Sequence, residues 1–269
     1  MSHVQNGGRI MAKVLGESGR YTSQQAAKKS REIRLVIIAV IGVLGVIEGF
    51  CLSNSFPVKR LPWWIQIIIS IGGFVGALVA YKFGSKRWDK LDKERENMRR
   101  GATGEILVGQ MLADFPDDFR VINGLSTPFG DLDHVVVGPT GVFVLDSKNW
   151  RGVVANDGKG ELLLNDKATD KPYIRQFVGR MMKVREKVVV LAPQIDVFYN
   201  AVFVFTSARV EAKWGTTGNV NCITADQLHS YILEKDFGKK LQPEEVDAVA
   251  QAFLGLAHMD KEFSSRPSR

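Results

Sequence analysis

Cysteine is scarce in this chain. Only Cys51 and Cys222 occur among 269 residues, and neither lies in a Cys-x-x-Cys or Cys/His spacing. That excludes a zinc framework and a disulfide scaffold. Internal repeats are missing as well, and low complexity is confined to the tails. Positive charge is missing where a nucleic-acid reading would want it. The chain carries +7 overall, yet residues 101–269 hold 19 Lys/Arg against 22 Asp/Glu, a balance of −3. Residues 1–100 hold 17 against 7, a balance of +10. The basic excess therefore belongs to the N-terminal part and is no argument for nucleic-acid binding by the rest.

Charge is also missing from two long runs. Leu35–Leu52 has one charged residue, Glu48, and Trp63–Tyr81 has none. At 1.5 Å per residue each run reaches roughly 27–29 Å, close to the hydrocarbon thickness of a bilayer. The pattern predicts two transmembrane helices, 35–52 and 63–81, in a hairpin at 35–82. Lys28, Lys29, Arg31 and Arg34 precede the first run, and Lys82, Lys86, Arg87, Lys90 and Lys93 follow the second. The connection Ser53–Pro62 has only Lys59 and Arg60. The positive-inside rule then places both termini in the cytoplasm of a cell with the chain in its inner or plasma membrane. Gly45 with Gly49, and Gly72 with Gly76, give small-xxx-small faces suited to close helix approach or a homo-oligomer. Glu48 reads as a carboxylate tolerated near the outer interface. Residues 1–34 read as a disordered basic tail, 83–100 as a charged linker helix, 101–258 as a folded domain and 259–269 as a second disordered tail.

Within that domain, Gly101 and Gly104 bracket a break. The stretch 105–115 then predicts a helix with Ile106, Leu107, Met111 and Leu112 apolar. Phe119–Gly124 is a first strand. Asp133–Pro139 and Gly141–Ser147 are the next two, joined by a turn at Gly138-Pro139-Thr140-Gly141. Gly152–Asn165 reads as a strand pair around Asp157-Gly158. Residues 173–188 suit a helix with Phe177, Met181 and Val184 on one side. Val197–Ser207 is apolar enough for a buried central strand. A short strand at 220–224, a helix from Ala225 to about Leu233 and a last helix over 243–258 complete an α/β domain with a mixed sheet.

Four charges at strand ends raise the question of function. Strand side chains alternate, so Asp131 and Asp133 share a face, as do Asp146 and Lys148. Pairing about the 138–141 turn sets Asp133 opposite Asp146, their Cβ atoms roughly 5 Å apart. Carboxylates that close repel unless a cation or proton intervenes. Hard oxygen donors at that separation suit Mg²⁺ or Mn²⁺, and Lys148, one pleat on, could act on an attacking water or a phosphate. Asp131 reads as a loop carboxylate, and His134, facing away from Asp133, as structural.

The arrangement is Asp133, then Asp146-Ser147-Lys148 after a turn. With Gly101, Gly104 and Glu105 upstream, and Asp131–His134, Gly138–Phe143, Asp146–Asn149 and Gly152 in order, it resembles the NERD domain, the nuclease-related domain of the PD-(D/E)xK superfamily. The resemblance implies a restriction-endonuclease-like fold, with Glu105, Asp133 and Asp146 around a metal and Lys148 beside it as the catalytic set. Two departures stand out. An Asp precedes the lysine where Glu is usual, and a motif of the form Asn-Pro-x-x-Gln reduces to Pro172 and Gln176. Arg175, Arg180, Lys183 and Lys187 on the 173–188 helix are candidate contacts to a nucleic-acid backbone. Two readings result. One is a membrane-anchored, metal-dependent nuclease acting on nucleic acid, DNA before RNA, on the cytoplasmic side. The other is a membrane-tethered binding or scaffold protein without turnover.

Overall fold

The structure, a computed structural model, describes residues 12–15, 90–195, 198–212, 220–234 and 240–264, with single positions 35, 38, 42, 62 and 64. The chain divides into two compact units, Met1–Tyr21 with Arg100–Arg269, and Thr22–Arg99. In the second unit residues 90–99 are helical, as their charge pattern predicts. The two apolar runs, Glu48 and the small-xxx-small glycines fall outside the described residues, apart from the single positions. Among the described residues no helix is long and apolar enough to cross a membrane.

The first unit is mixed α/β, with a mixed sheet flanked by helices. Its elements are β1 (Lys13–Leu15), α1 (residues 100–113), β2 (Arg120–Leu125), β3 (Leu132–Gly138) and β4 (Gly141–Lys148). Then come β5 (Gly152–Asn156), β6 (Leu162–Leu164), β7 (Lys167–Ala168), α2 (Tyr173–Leu191) and β8 (Tyr199–Phe205). The chain continues with β9 (Ala208–Val210), β10 (Val220–Thr224), α3 (Leu228–Leu233) and α4 (Pro243–Ser264). Six strands make the main sheet, in the order β1-β2-β3-β4-β8-β10. The hairpins β2-β3 and β3-β4 are antiparallel, while β8 lies parallel to both β4 and β10. A smaller sheet runs β7-β6-β5-β9.

The two faces of the main sheet are closed by different helices. Val135, Val137, Val142, Val144, Ala201 and Phe203 pack with Phe177, Met181 and Val184 of α2 and Phe253 of α4. Val136, Phe143, Leu145, Val202 and Val204 pack with Val108 and Leu112 of α1 and Leu228 and Ile232 of α3. Every residue of β8 is buried, which explains its unbroken apolar run.

Several expectations need correction. The predicted N-terminal tail contains a strand. Lys13–Leu15 runs parallel to Arg120–Ile122, and the Ala12 N–H donates to the Phe115 carbonyl at 2.7 Å. Three residues are too short to stand out in a Gly/Ser/Gln-rich stretch, but they satisfy the open backbone edge of β2. The predicted C-terminal tail is helical as far as Ser264. Gly101 and Gly104 do not break the chain, since both lie inside helix. Ile106 and Leu107 are 43% and 41% exposed, and the buried line of α1 is Ala102, Val108 and Leu112. Helical period accounts for it: 102 and 108 lie near 112 on one side, and 106 and 107 point off it.

Candidate active site

The β3-β4 hairpin pairs Gly138 with Gly141 and His134 with Leu145, the register expected from its turn. The next rung would set Asp133 against Asp146. The ladder stops there instead. Oδ2 of Asp133 accepts from the Ser147 backbone N–H at 2.8 Å and from the Ser147 hydroxyl at 3.0 Å. A carboxylate thus takes a strand N–H and holds the end of β4 in place.

Lys148 returns along β4 to its neighbour on the same face. Its Nζ donates to Oδ1 of Asp146. The two side chains are only 17% and 13% exposed. The same ammonium lies 5.4 Å from the ring centroids of both Tyr173 and Phe203. Phe203 is delivered by register, since β8 sets it beside Asp146. Burial raises the Asp146 carboxyl above its ordinary value; Lys148 pulls it back down and Asp133 pushes it further up. For Lys148, burial acts to lower the ammonium, but Asp146 and Asp133 outweigh it and hold the group above its usual value. Lys148 is therefore a cation at neutral pH, in a setting that strengthens its field.

Helix α2 brings two more residues. Tyr173 opens it, its hydroxyl donating to Asp170 at 3.0 Å, and burial with that bond moves the phenol to about 12. Arg180, two turns further along the helix, donates to the Asp131 carbonyl at 2.5 Å. It passes so close to Gly130 (φ +113°) that a Cβ there would stand 3.2 Å from its Nε. Its charge reaches both Asp146 and Lys148. Of the four basic residues expected on this helix, Arg180 alone is brought to the site. Arg175, Lys183 and Lys187 are exposed along α2. The N-terminus of α2 is already taken: the Glu161 carboxylate accepts the N–H groups of Ile174 and Arg175, each at 3.0 Å.

Asp131 accepts from the Ser126 hydroxyl at 2.8 Å, the loop role expected of it. His134 is fully buried on the opposite face of β3, and its Nδ1–H donates to Asn123 Oδ1 at 2.7 Å. Nε2 is left without a partner. Burial pushes the imidazole down from 6.5 to about 4, against the pull of Asp146.

Glu105 comes from the helix that covers the other face of the sheet, and it is half-buried. Asn149, next after Lys148, ties that helix to the strand end. Its Nδ2 donates to the Arg100 carbonyl at 2.9 Å, and its Oδ1 accepts from Ser207 at 2.7 Å. Among the described residues no group of three His, Cys, Asp or Glu side chains is gathered to hold a metal. Glu105 therefore does not complete a three-ligand set with Asp133 and Asp146. The two aspartates still suit a hard divalent ion. Both of the hydrogen bonds Asp133 accepts fall on one oxygen, and Mg²⁺ commonly takes one or two protein carboxylates and fills its shell with water and substrate phosphate.

An aspartate pair and a lysine at two strand ends, tied to a preceding glycine-bearing helix, are the parts the sequence pattern led one to expect. Residues 100–206 match NERD, the nuclease-related domain family. The matched NERD region runs from α1 to just past β8 and takes in each residue of the site. An uncharacterized protein of Bacillus anthracis is 36% identical over 66 residues, which cover 22% of this chain and 31% of that protein. The chain thus spans about a third of this curated relative's length. No solved structure matches.

Sequence reasoning missed Ser147, Tyr173, Phe203 and Glu161. Alternation pointed Ser147 away from Asp133, and only the end of the ladder turns its N–H and hydroxyl toward that carboxylate. Tyr173 and Glu161 meet the site through α2, and no local pattern announces that docking.

The helix tie carries a prediction. A Cβ on Gly104 would stand 3.1 Å from the Asn149 Cβ. Alanine gains about 1 kcal/mol of helix propensity. Asn149 is pinned from two sides, so overpacking of about 1–3 kcal/mol outweighs that gain. Gly104→Ala is expected to lower the melting temperature by roughly 2–4 °C per net kcal/mol. Calorimetric melting of the variant checks this, and a higher melting temperature would show that Asn149 yields freely.

Proposed function

We propose that this protein is a membrane-anchored, metal-dependent nuclease that hydrolyses phosphodiester bonds of nucleic acid, DNA before RNA, on the cytoplasmic side, on a restriction-endonuclease-like core. The observation that carries the reading is the Lys148 ammonium, buried against the Asp133–Asp146 pair at the strand ends of a NERD region. Asp133 and Asp146 would hold Mg²⁺ or Mn²⁺, and Glu105 is the further acid that the resemblance implies. A bound ion of this kind offsets phosphate charge and acidifies a coordinated water. Lys148 supplies a fixed positive charge. Held protonated, it cannot serve as the base that takes a proton from water. It stabilises negative charge building on the phosphate, in a pocket that needs no reorganisation. Arg180 fixes the loop at Asp131 and adds charge at the same edge.

The test is an assay of the full chain on mixed DNA and RNA, with Mg²⁺, with Mn²⁺ and with chelator. Metal-dependent cleavage is expected. Absence of cleavage with retained binding would favour the second reading, a tethered binding or scaffold protein. That reading draws support from the two-carboxylate set, the Asp-for-Glu departure and the −3 balance of residues 101–269.

The membrane part rests on the two apolar runs and their basic flanks. A reporter fused at either terminus is expected to be cytoplasmic, and a tag within Ser53–Pro62 to be reached from outside. A C-terminal reporter open to an impermeant probe in intact cells would remove the cytoplasmic placement.

A further inference from the structure

Two large aromatic side chains stand at the rim of the site. Trp150 follows Asn149 directly, and Tyr173 opens α2. Their rings meet edge to face, 5.0 Å between centroids at 75°. Phe205 backs Trp150 at 5.5 Å. Phe203 and Phe205 are closed off, at 0% and 1% exposure, whereas Trp150 and Tyr173 are both partly open to solvent. The Lys148 ammonium sits 5.4 Å from the Tyr173 ring. Exposed cations flank the pair along the chain: Arg151 beside Trp150, Lys171 and Arg175 two residues either side of Tyr173.

We propose that Trp150, held edge to face by Tyr173 and backed by Phe205, forms a stacking platform for an unpaired nucleobase, so that the site takes single-stranded nucleic acid. This rests on the nuclease reading and names its substrate class. Phosphate neutralisation over a basic face drives the binding of duplex and, with a smaller salt slope, of single strands, so where that excess is missing it is base stacking that tells the two apart. Residues 101–269 carry a balance of −3 and offer no such excess. The N-terminus of α2, otherwise a ready seat for a phosphate, is occupied by the Glu161 carboxylate. Asp146 and Lys148 are recessed, so a phosphate must be led in to them. A base stacked at the rim does this for a flexible strand, whose neighbouring phosphate can then reach Lys148. A paired base has its faces already covered within its stack. Base–aromatic stacking is tolerant of sequence, so the platform sets strandedness and not base identity.

The experiment uses the full chain in detergent, with Ca²⁺ present, and three fluorescein-labelled probes. These are a short oligothymidylate, the same backbone with abasic positions, and a duplex of equal length. Wild type is expected to bind the oligothymidylate roughly ten- to hundredfold more tightly than the abasic strand, the range for one or two stacked bases. Trp150→Leu should remove that difference while leaving affinity for the abasic strand unchanged, and Trp150→Phe should restore most of it. Equal binding of the oligothymidylate and the abasic strand by wild type overturns the proposal without recourse to any variant. So does a preference for the duplex. If in addition Mg²⁺-dependent cleavage of the duplex persists, the nuclease reading stands while the platform falls. If wild type binds none of the probes and cleaves nothing with Mg²⁺, both fall together.

Discussion

Lys148→Ala is expected to lower cleavage by roughly a hundredfold or more, about 2.7 kcal/mol of transition-state stabilisation, while the metal still binds. The ammonium is the one group at the site that Asp133 and Asp146 together hold as a cation. Its loss removes a charge stabiliser but no metal ligand. It also removes the partner that pulls the Asp146 carboxyl down, so that group rises further. Metal titrations of both proteins should therefore be run as a pH series, because a rising carboxyl pKa moves metal binding to higher pH. At the upper end of that series the variant should bind Mn²⁺ as tightly as wild type, or more tightly for want of a competing cation.

Asp146→Asn should do the reverse and abolish metal binding without unfolding the domain. The folded Asp146 holds its proton more firmly than the unfolded one, so the fold gains stability as pH falls from above the raised value toward 3.8. Asparagine imitates the protonated form and keeps an oxygen to accept from Lys148. The variant should melt no earlier than wild type at pH 7, and the difference should close on acidification. Calorimetric titration and melting of both variants, beside a cleavage assay, decide the matter. If both melt early and bind metal like wild type, the strand-end charges are a structural network and the nuclease reading fails.

How much of this was legible before the fold was known differs from element to element. The β3-β4 register was, because Gly138 and Gly141 fix the turn and a turn fixes every rung beyond it. So were β8, whose apolar run reflects burial on both faces, and α2, whose Phe177, Met181 and Val184 recur at helical spacing. The strands β1, β7 and β9, of three, two and three residues, were not. Their pairing comes from neighbours far off in sequence, and so short a segment shows no period. Gly104 was misread as a break because glycine signals both an ended helix and a close packing contact. The presence of Asn149, 45 positions away, decides between them. At the site, the charges that share a strand face could be named from alternation alone. The aromatic walls around Lys148 could not, since Phe203 arrives through a parallel neighbour and Tyr173 through a docked helix.

His134 is expected to make the domain acid-sensitive. Its imidazole titrates at about 4 when folded and at 6.5 in its ordinary state, so the fold favours the neutral ring. Above pH 6.5 both states are neutral and the contribution is complete. As pH falls from 6.5 toward 4 the unfolded chain takes up the proton and the folded one does not, and stability is lost. At 1.36 kcal/mol per unit, the gap amounts to about 3 kcal/mol, a large part of an ordinary domain's stability. The cause is geometric. Nδ1 is committed to Asn123, and Nε2 faces a closed layer with no acceptor for a second proton. Asp146, raised from its ordinary value by burial, contributes with the opposite sign, so the effect is cleanest in an Asp146→Asn background. There, melting temperature should fall between pH 6.5 and 4, and His134→Leu should flatten that slope. The leucine variant will start lower at pH 7, because the buried Asn123 amide loses its partner at about 1–3 kcal/mol. The level of its curve therefore decides nothing and the slope decides everything. An unchanged slope would mean that His134 takes up its proton as readily inside the fold as outside it.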